Sequence, residues 1–346
     1  MSQGSALPPR SGGRQTPKQK KQKPRKKRSF LKMFFFTIFG LLLITAGILA
    51  YLVLKIDDAV ETIGVDNDTV VIPAGESVKD KPVALVLMGL DSRSHGGGLN
   101  TDVIMVAAFK PNTKTATVVS IPRDSKIDVE GYRERKANSF YADFYSMALK
   151  NGLEKEAAYA DAKQEVRTVM SKLFGIEVKY AAVINFQGFA DVVDALGGVE
   201  VDVDMRMKYT DSQDGTNIDL QKGFQKLNGD QALDFVRYRK SNDGKNMSSD
   251  FDRNRRQSEV IGALTDKMKS LGAAPKIGNV IEAVGNNLTM DMPKGEITSM
   301  MKIYFGMSRS DITFIPLEGS WRSPYVYLDE TKLDEARAAL QANMAE

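Results

Sequence analysis

Residues 82–91 read PVALVLMGLD, an unbroken apolar run closed by Gly-Leu-Asp. A run this short and continuous is a strand buried on both faces, and its last residues open into a loop. Two further strands follow, VIMVAAF at 103–109 and TATVVSIPRD at 115–124, with KPNTK as the turn between them. Between Phe140 and Phe174 the period changes, and Met147, Ala148, Val166, Val169, Met170 and Leu173 recur at helical spacing. YAAVINF (180–186) is another strand. GFADVVDALGG (188–198) is a helix that stops at a glycine pair, and VEVDVDM (199–205) alternates as a strand with one wet face. Helical patterns at 228–236 and 256–271, a strand ITFIPL at 312–317 and a terminal surface helix in DETKLDEARAAL complete the series. Strands alternating with helices predict an α/β layered domain around a central mixed sheet.

The other end of the chain sets its surroundings. Eleven of the 48 Lys and Arg residues lie in residues 1–32, which contain no acid, so the rest carries 37 bases against 44 acids. The formal charge of +4 therefore describes a tail, and gives no reason to expect nucleic acid as a partner of the folded part. Met33–Leu54, MFFFTIFGLLLITAGILAYLVL, is 22 residues without a charge. A helix of that length covers the roughly 30 Å hydrocarbon core of a bilayer. No small-x-small cleavage site follows it, which favours an uncleaved anchor over a signal peptide. The expected organisation is a basic, disordered cytoplasmic tail (1–32), a transmembrane helix (33–54), an extracytoplasmic stalk with an edge strand at 69–72 (55–81) and a catalytic domain (82–346).

The chain has no cysteine and one histidine, His95, which removes disulfides, thiolate nucleophiles and His-pair metal sites. His95 in SHGGG reads as a solvated loop residue, and no GxxxxGK[ST] phosphate loop is present. The candidate chemistry lies in acids and arginines. Asp91 closes the first strand and Asp102 opens the second, so neighbouring strands would project both carboxylates at one edge. Two carboxylates with few nitrogen ligands suit a hard ion such as Mg²⁺; each also reads as a turn or strand cap.

Residues 235–257, FVRYRKSNDGKNMSSDFDRNRRQ, hold five arginines and two lysines. Arg237 and Arg239 are two apart, and extended backbone points both the same way. Arg253, Arg256 and Gln257 share one helix face, whereas Arg255 points elsewhere. Together with Arg123 in SIPRD these suggest a site for a phosphoryl anion, since guanidinium groups grip phosphate bidentately. A solvated surface paired to Asp243, Asp250 and Asp252 is the alternative, and Lys240, Lys245 and Arg255 read most readily that way. Outside the cell, the available phosphates are lipid-linked.

The ordered motifs MGLDSR, TDVIMV, SIPRD, KANSFYA, FGIEVKYAAVINFQGFADVVDALGGVEVDV, LNGDQALDFVRYR and DFDRNRRQ run from Val83 to Lys269. In them the chain resembles the LytR-CpsA-Psr proteins, membrane-anchored bacterial enzymes that attach anionic glycopolymers to peptidoglycan. The resemblance implies an α/β/α sandwich with a long apolar pocket for a polyprenyl chain. It implies that Asp91 and Asp102 bind Mg²⁺, or Mn²⁺ in its place. Arg123, Arg237, Arg239 and Arg253 with Gln257 would hold a pyrophosphate, with Arg93 and Lys136 at basic positions nearby. The implied reaction moves a teichoic acid or capsule-type polymer from undecaprenyl pyrophosphate to a peptidoglycan sugar hydroxyl, at the cell membrane of a Gram-positive bacterium. A polyprenyl-pyrophosphate hydrolase or a non-catalytic wall-lipid sensor would use the same residues. Asn100 departs from the arginine that the family places before the second acid. For Phe140, Val169, Val183, Phe189 and Val193, both pocket lining and ordinary core remain open.

Overall fold

The structure, a computed structural model, describes residues 54–55, 58, 60–62, 64, 72–90, 98–212, 215–271 and 276–345. The expected membrane segment lies outside these apart from Leu54, as do residues 69–71 of the expected edge strand, Asp91 and Arg93. Among the described residues, no helix is long and apolar enough to cross a membrane.

Three strands, β1 (Val83–Leu90), β2 (Thr101–Lys110) and β3 (Thr115–Ser120), pair antiparallel in chain order. Val178–Asn185 lies parallel to β1, Leu288–Met290 closes that side antiparallel, and Ile312–Pro316 lies parallel to β3 at the other edge. The expected mixed sheet is present with helices on both faces. Ala84, Val86, Met88 and Leu90 of β1 point into the main core, which the Phe140–Lys150, Lys155–Phe174 and Glu330–Met344 helices complete. Val83 and Leu85 point the other way and are also buried, which is why the run reads as continuously apolar. On that second face the Lys294–Tyr304 helix sets Tyr304 against Ala116 and, ring to ring at 5.0 Å, against Phe109.

The terminal helix is the expected surface helix: Leu333, Ala336 and Leu340 form its one buried stripe, packed on the main core, and Arg337 Nε donates to the Leu173 carbonyl at 2.8 Å. One expectation shifts. The helix expected from Arg256 begins at Asp250. Its start is set by Ser249, whose hydroxyl accepts from the Asp252 amide at 3.1 Å while the Asp252 carboxylate accepts from the Ser249 amide at 2.9 Å. The arginines of this segment therefore sit on helix faces.

A smaller apolar cluster lies beside the sandwich. Val199–Val203 pairs with Gly223–Leu227, Met207–Asp211 pairs with Thr216–Leu220, and both pack on Phe235 and Tyr238 at the end of the Gly229–Arg237 helix. That helix crosses Phe186–Ala195 so closely that a Cβ on Gly229 would collide with the Ala190 carbonyl. The Gly229 amide donates to Asp194 at 2.8 Å, and Asn228 with Gln231 forms a capping box. Sequence and contact thus fix where this helix starts; it ends at Arg237.

Candidate active site

Four parallel strands end at one edge of the sheet: β1, β3, Val178–Asn185 and Ile312–Pro316. At that edge Leu90 pairs with Thr101, directly before Asp102. Ligands of open α/β sheets bind outside these carboxyl ends. A cleft of about 420 Å³ opens there, lined by Asp102, Arg123, Arg237, Arg239, Arg253 and Gln257. Asn100, Asn138 and Phe186 also reach it, and Tyr209, Thr216 and Ile218 of the small hairpin form the far wall.

The local fold explains each position. Arg237, the last residue of its helix, and Arg239 flank Tyr238, the C-cap, which is fully buried and hydrogen-bonded to Ser241 at 2.7 Å. The break of the helix at Tyr238 sends that ring to the core while Arg237 and Arg239 both line the cleft, although Arg237 is helical, not extended as expected from the spacing. Asn185 caps the Phe186–Ala195 helix by accepting from the Gly188 amide at 2.7 Å, which fixes Phe186 at the cleft wall. The Arg237 guanidinium lies over the Phe186 ring, 4.6 Å from its centroid. Arg123 pairs with Asp102, and its Nε lies 3.7 Å from Asp124. Asp124 also accepts from Lys136 Nζ at 3.0 Å, so Lys136 joins the site through Asp124 rather than by lining the cleft.

Among the described residues the lining carries Arg123, Arg237, Arg239, Lys240 and Arg253 against the single carboxylate of Asp102. Lys240, expected to be solvated only, is part of it. Arg253 is 6% exposed, and its Nη2 pairs with Asp250 one helical turn back. Burial pushes its pKa down to about 9, and the adjacent Arg239 and Arg123 push the same way. Surrounding protein also lowers the Arg239 pKa, with Arg123 adding to the effect. The buried Nε atoms of Arg123 and Arg253 have no hydrogen-bond partner. Each unsatisfied buried donor costs about 1–3 kcal/mol.

Arg256 is a correction. It does not share the cleft face with Arg253 and Gln257; it is 1% exposed and turned to the small cluster. Its Nε and Nη2 hold Asp204 at 2.8 and 2.9 Å, and Nη1 donates to Ser248 at 2.8 Å. On a helix, Arg256 and Gln257 lie on opposite sides of the Arg253 meridian, and Asp204 after the Val199–Val203 strand draws Arg256 to its side. Arg255 points outward as expected, to Asp204 and Asp252. Phe140, Val169 and Val183 belong to the main core, and Phe189 and Val193 to the small cluster; none lines the cleft.

A second cavity, of about 320 Å³, is almost wholly apolar. Met268, Met290, Met292, Met300 and Met301 line it with Val60, Leu196, Ile297 and others. The Phe186–Ala195 helix begins at the cleft and is followed by Leu196 at this cavity, a distance of about 15 Å along ten residues. No motif marked it in the sequence, because its lining comes from five separate segments of ordinary apolar residues.

The LytR_cpsA_psr family model matches residues 53–342. The chain belongs to this family. In the LytR_cpsA_psr family, the polyisoprenyl-teichoic acid–peptidoglycan teichoic acid transferase TagV of Bacillus subtilis (strain 168) is 27% identical over 332 residues, covering 92% of this chain and 80% of its own. The crystal structure of B. subtilis TagV superposes with a TM-score of 0.58 at 26% identity, over 76% of this chain and 97% of that one. TagT bound to LIIa-WTA superposes at 0.55 and 26% identity, over 80% and 99%. The mixed sheet with flanking helices is thus the family fold.

Proposed function

We propose that this protein is a membrane-anchored transferase that moves a teichoic-acid-type glycopolymer from an undecaprenyl-pyrophosphate carrier to a peptidoglycan hydroxyl. The observation that carries the reading is the cleft lined by five cationic side chains and one carboxylate, beside an apolar cavity. A pyrophosphate with a long hydrocarbon tail matches that pairing of chemistries. Arg123, Arg237, Arg239 and Arg253 would grip the pyrophosphate, with Gln257 beside Arg253. The tail would enter the methionine-lined cavity, whose flexible, polarizable side chains adapt to a repeating branched chain. The names of the family relatives, and the wall teichoic acid bound in TagT, support this substrate class.

In the reaction the acceptor oxygen bonds to the sugar-proximal phosphorus. The bond from that phosphorus to the bridging oxygen breaks, and the electron pair leaves with polyprenyl phosphate. The hydroxyl proton passes to solvent or a carboxylate at the cleft. Such a transfer is chiefly positioning and charge stabilisation, which convergent guanidinium groups supply.

Mg²⁺ fits the donor set. Asp102 is the one carboxylate lining the cleft among the described residues, and Mg²⁺ is commonly held by one or two carboxylates plus substrate phosphates. Asp102, with Asp91, would hold the ion, which when bound neutralises phosphate oxygens. No cluster of three or more acids and histidines suited to a self-sufficient metal site occurs among the described residues. The uncharged Met33–Leu54 segment supports membrane anchoring with the domain outside.

The test reconstitutes the full chain in vesicles with a synthetic lipid-linked polymer and uncrosslinked peptidoglycan, with Mg²⁺ or a chelator. Metal-dependent joining of polymer to glycan is expected. Release of free polymer without joining would make the protein a hydrolase, and binding without either would make it a sensor.

A further inference from the structure

The polar network continues past the cleft wall. Asp124, which touches Arg123 on one side, holds Lys136 on the other, and the Lys136 ammonium lies 5.6 Å from the centroid of the Trp321 ring. Trp321 is the only tryptophan in the chain, and it is 56% exposed. Its hairpin, Gly319–Arg322 with Tyr325–Leu328, is firmly seated. Val326 is buried, its amide donates to the Asp124 carbonyl at 2.9 Å, and Arg322 stacks over Tyr327 at 3.9 Å. Asp124 therefore ties the hairpin, Lys136 and the cleft arginine together. An indole held on this hairpin, more than half exposed and with an ammonium over its ring, is built to take a ligand that is itself amphipathic.

Topology gives the direction. Phe186 follows the strand beside one edge of the sheet, and the Trp321 hairpin follows the strand at the opposite edge. Asp102 and Arg123, from β2 and the end of β3, lie between them. Four strand spacings separate the two ends, roughly 19 Å. In an in-line displacement the entering oxygen approaches opposite the leaving group. If the lipid phosphate departs toward Phe186 and the apolar cavity, the acceptor enters from the Trp321 end.

Resting on the transferase reading, we propose that Trp321 and Lys136 form the acceptor subsite, which docks a sugar ring of the peptidoglycan glycan strand. The C–H face of a pyranose stacks on the indole. The Lys136 ammonium has three N–H donors, one of which goes to Asp124, and offers the others to sugar oxygens. The subsite sets which hydroxyl reaches the phosphorus and has no contact with the lipid.

The single tryptophan is its own probe. Titrating the full chain in detergent with uncrosslinked glycan strands should give a saturable change in indole emission, and undecaprenyl pyrophosphate should give none. In the joining assay, Trp321→Ala should raise the glycan KM about tenfold while the lipid donor Kd moves less than about twofold, and Trp321→Phe should recover part of the loss. Unchanged emission together with an unchanged glycan KM overturns the proposal. So does a selective loss of donor affinity in Trp321→Ala, which would give the indole to the donor polymer. If the wild-type chain joins nothing, the transferase reading fails instead, while a saturable emission response to glycan would still show a sugar site.

Discussion

The cleft and the apolar cavity lie at opposite ends of one short helix and are built on opposite terms. The cleft gathers charge at the ends of strands and helices, where backbone geometry aims each side chain, and leaves buried Nε donors of Arg123 and Arg253 without acceptors. The cavity gathers methionines and aliphatics from helices, an edge strand and the turns beside them, where no individual residue is distinctive. A polar site announces itself through residue types that are costly to bury. An apolar one is made of the same residues as the core and differs only in being unfilled.

The largest expected effect breaks the cleft side. Arg123→Ala should lower the rate of polymer joining about 10²–10³-fold, the usual loss for one preorganised charge-stabilising donor, with the thermal midpoint little changed. Arg256→Ala should do the reverse. Removing one member of a buried, bidentate pair costs about 3 kcal/mol, visible in chemical denaturation, because Asp204 keeps only its exposed contact with Arg255 and Ser248 loses its partner. If Arg256→Ala were stable but inactive, the division of the helix into a cleft face and a structural face would be wrong.

Met300→Asp sharpens the other side. A carboxylate in the cavity should weaken binding of polyprenyl pyrophosphate at least about tenfold while leaving inorganic pyrophosphate binding unaffected. The smallest effect concerns pH. Burial raises the Asp234 pKa from 3.8 to about 6, partly offset by Arg237. The folded chain then holds a proton that the unfolded chain has lost, so this group's contribution to stability falls as pH rises from about 4 to 6. Asp234→Asn should remove that slope and raise stability at pH 7, as followed by urea unfolding across this range.

Much of the fold was legible in the residues. The run from Val83 to Leu90, the alternation at Val199–Val203 and the glycine pair after the Phe186–Ala195 helix each fixed an element through local chemistry. The cleft arginines were legible because Arg237 and Arg239 are two apart and guanidinium groups concentrated in one segment suit a phosphoryl anion. Arg256 was not, since its direction depends on Asp204, some fifty residues away, and helical spacing alone places it near Arg253. Phe186 and the hairpin wall were missed for the same reason: their roles come from which strands end together. Trp321 carried a signal that went unused, since a lone tryptophan in a short polar hairpin is hard to bury.

The most direct test of the account is the affinity of the full chain for undecaprenyl pyrophosphate and for inorganic pyrophosphate, measured on wild type, Arg253→Ala and Met300→Asp by titration calorimetry in detergent. One ligand spanning both regions predicts that Arg253→Ala weakens both compounds and Met300→Asp weakens only the lipid. Wild-type lipid affinity in Met300→Asp would contradict it, and would separate the cavity from the chemistry of the cleft.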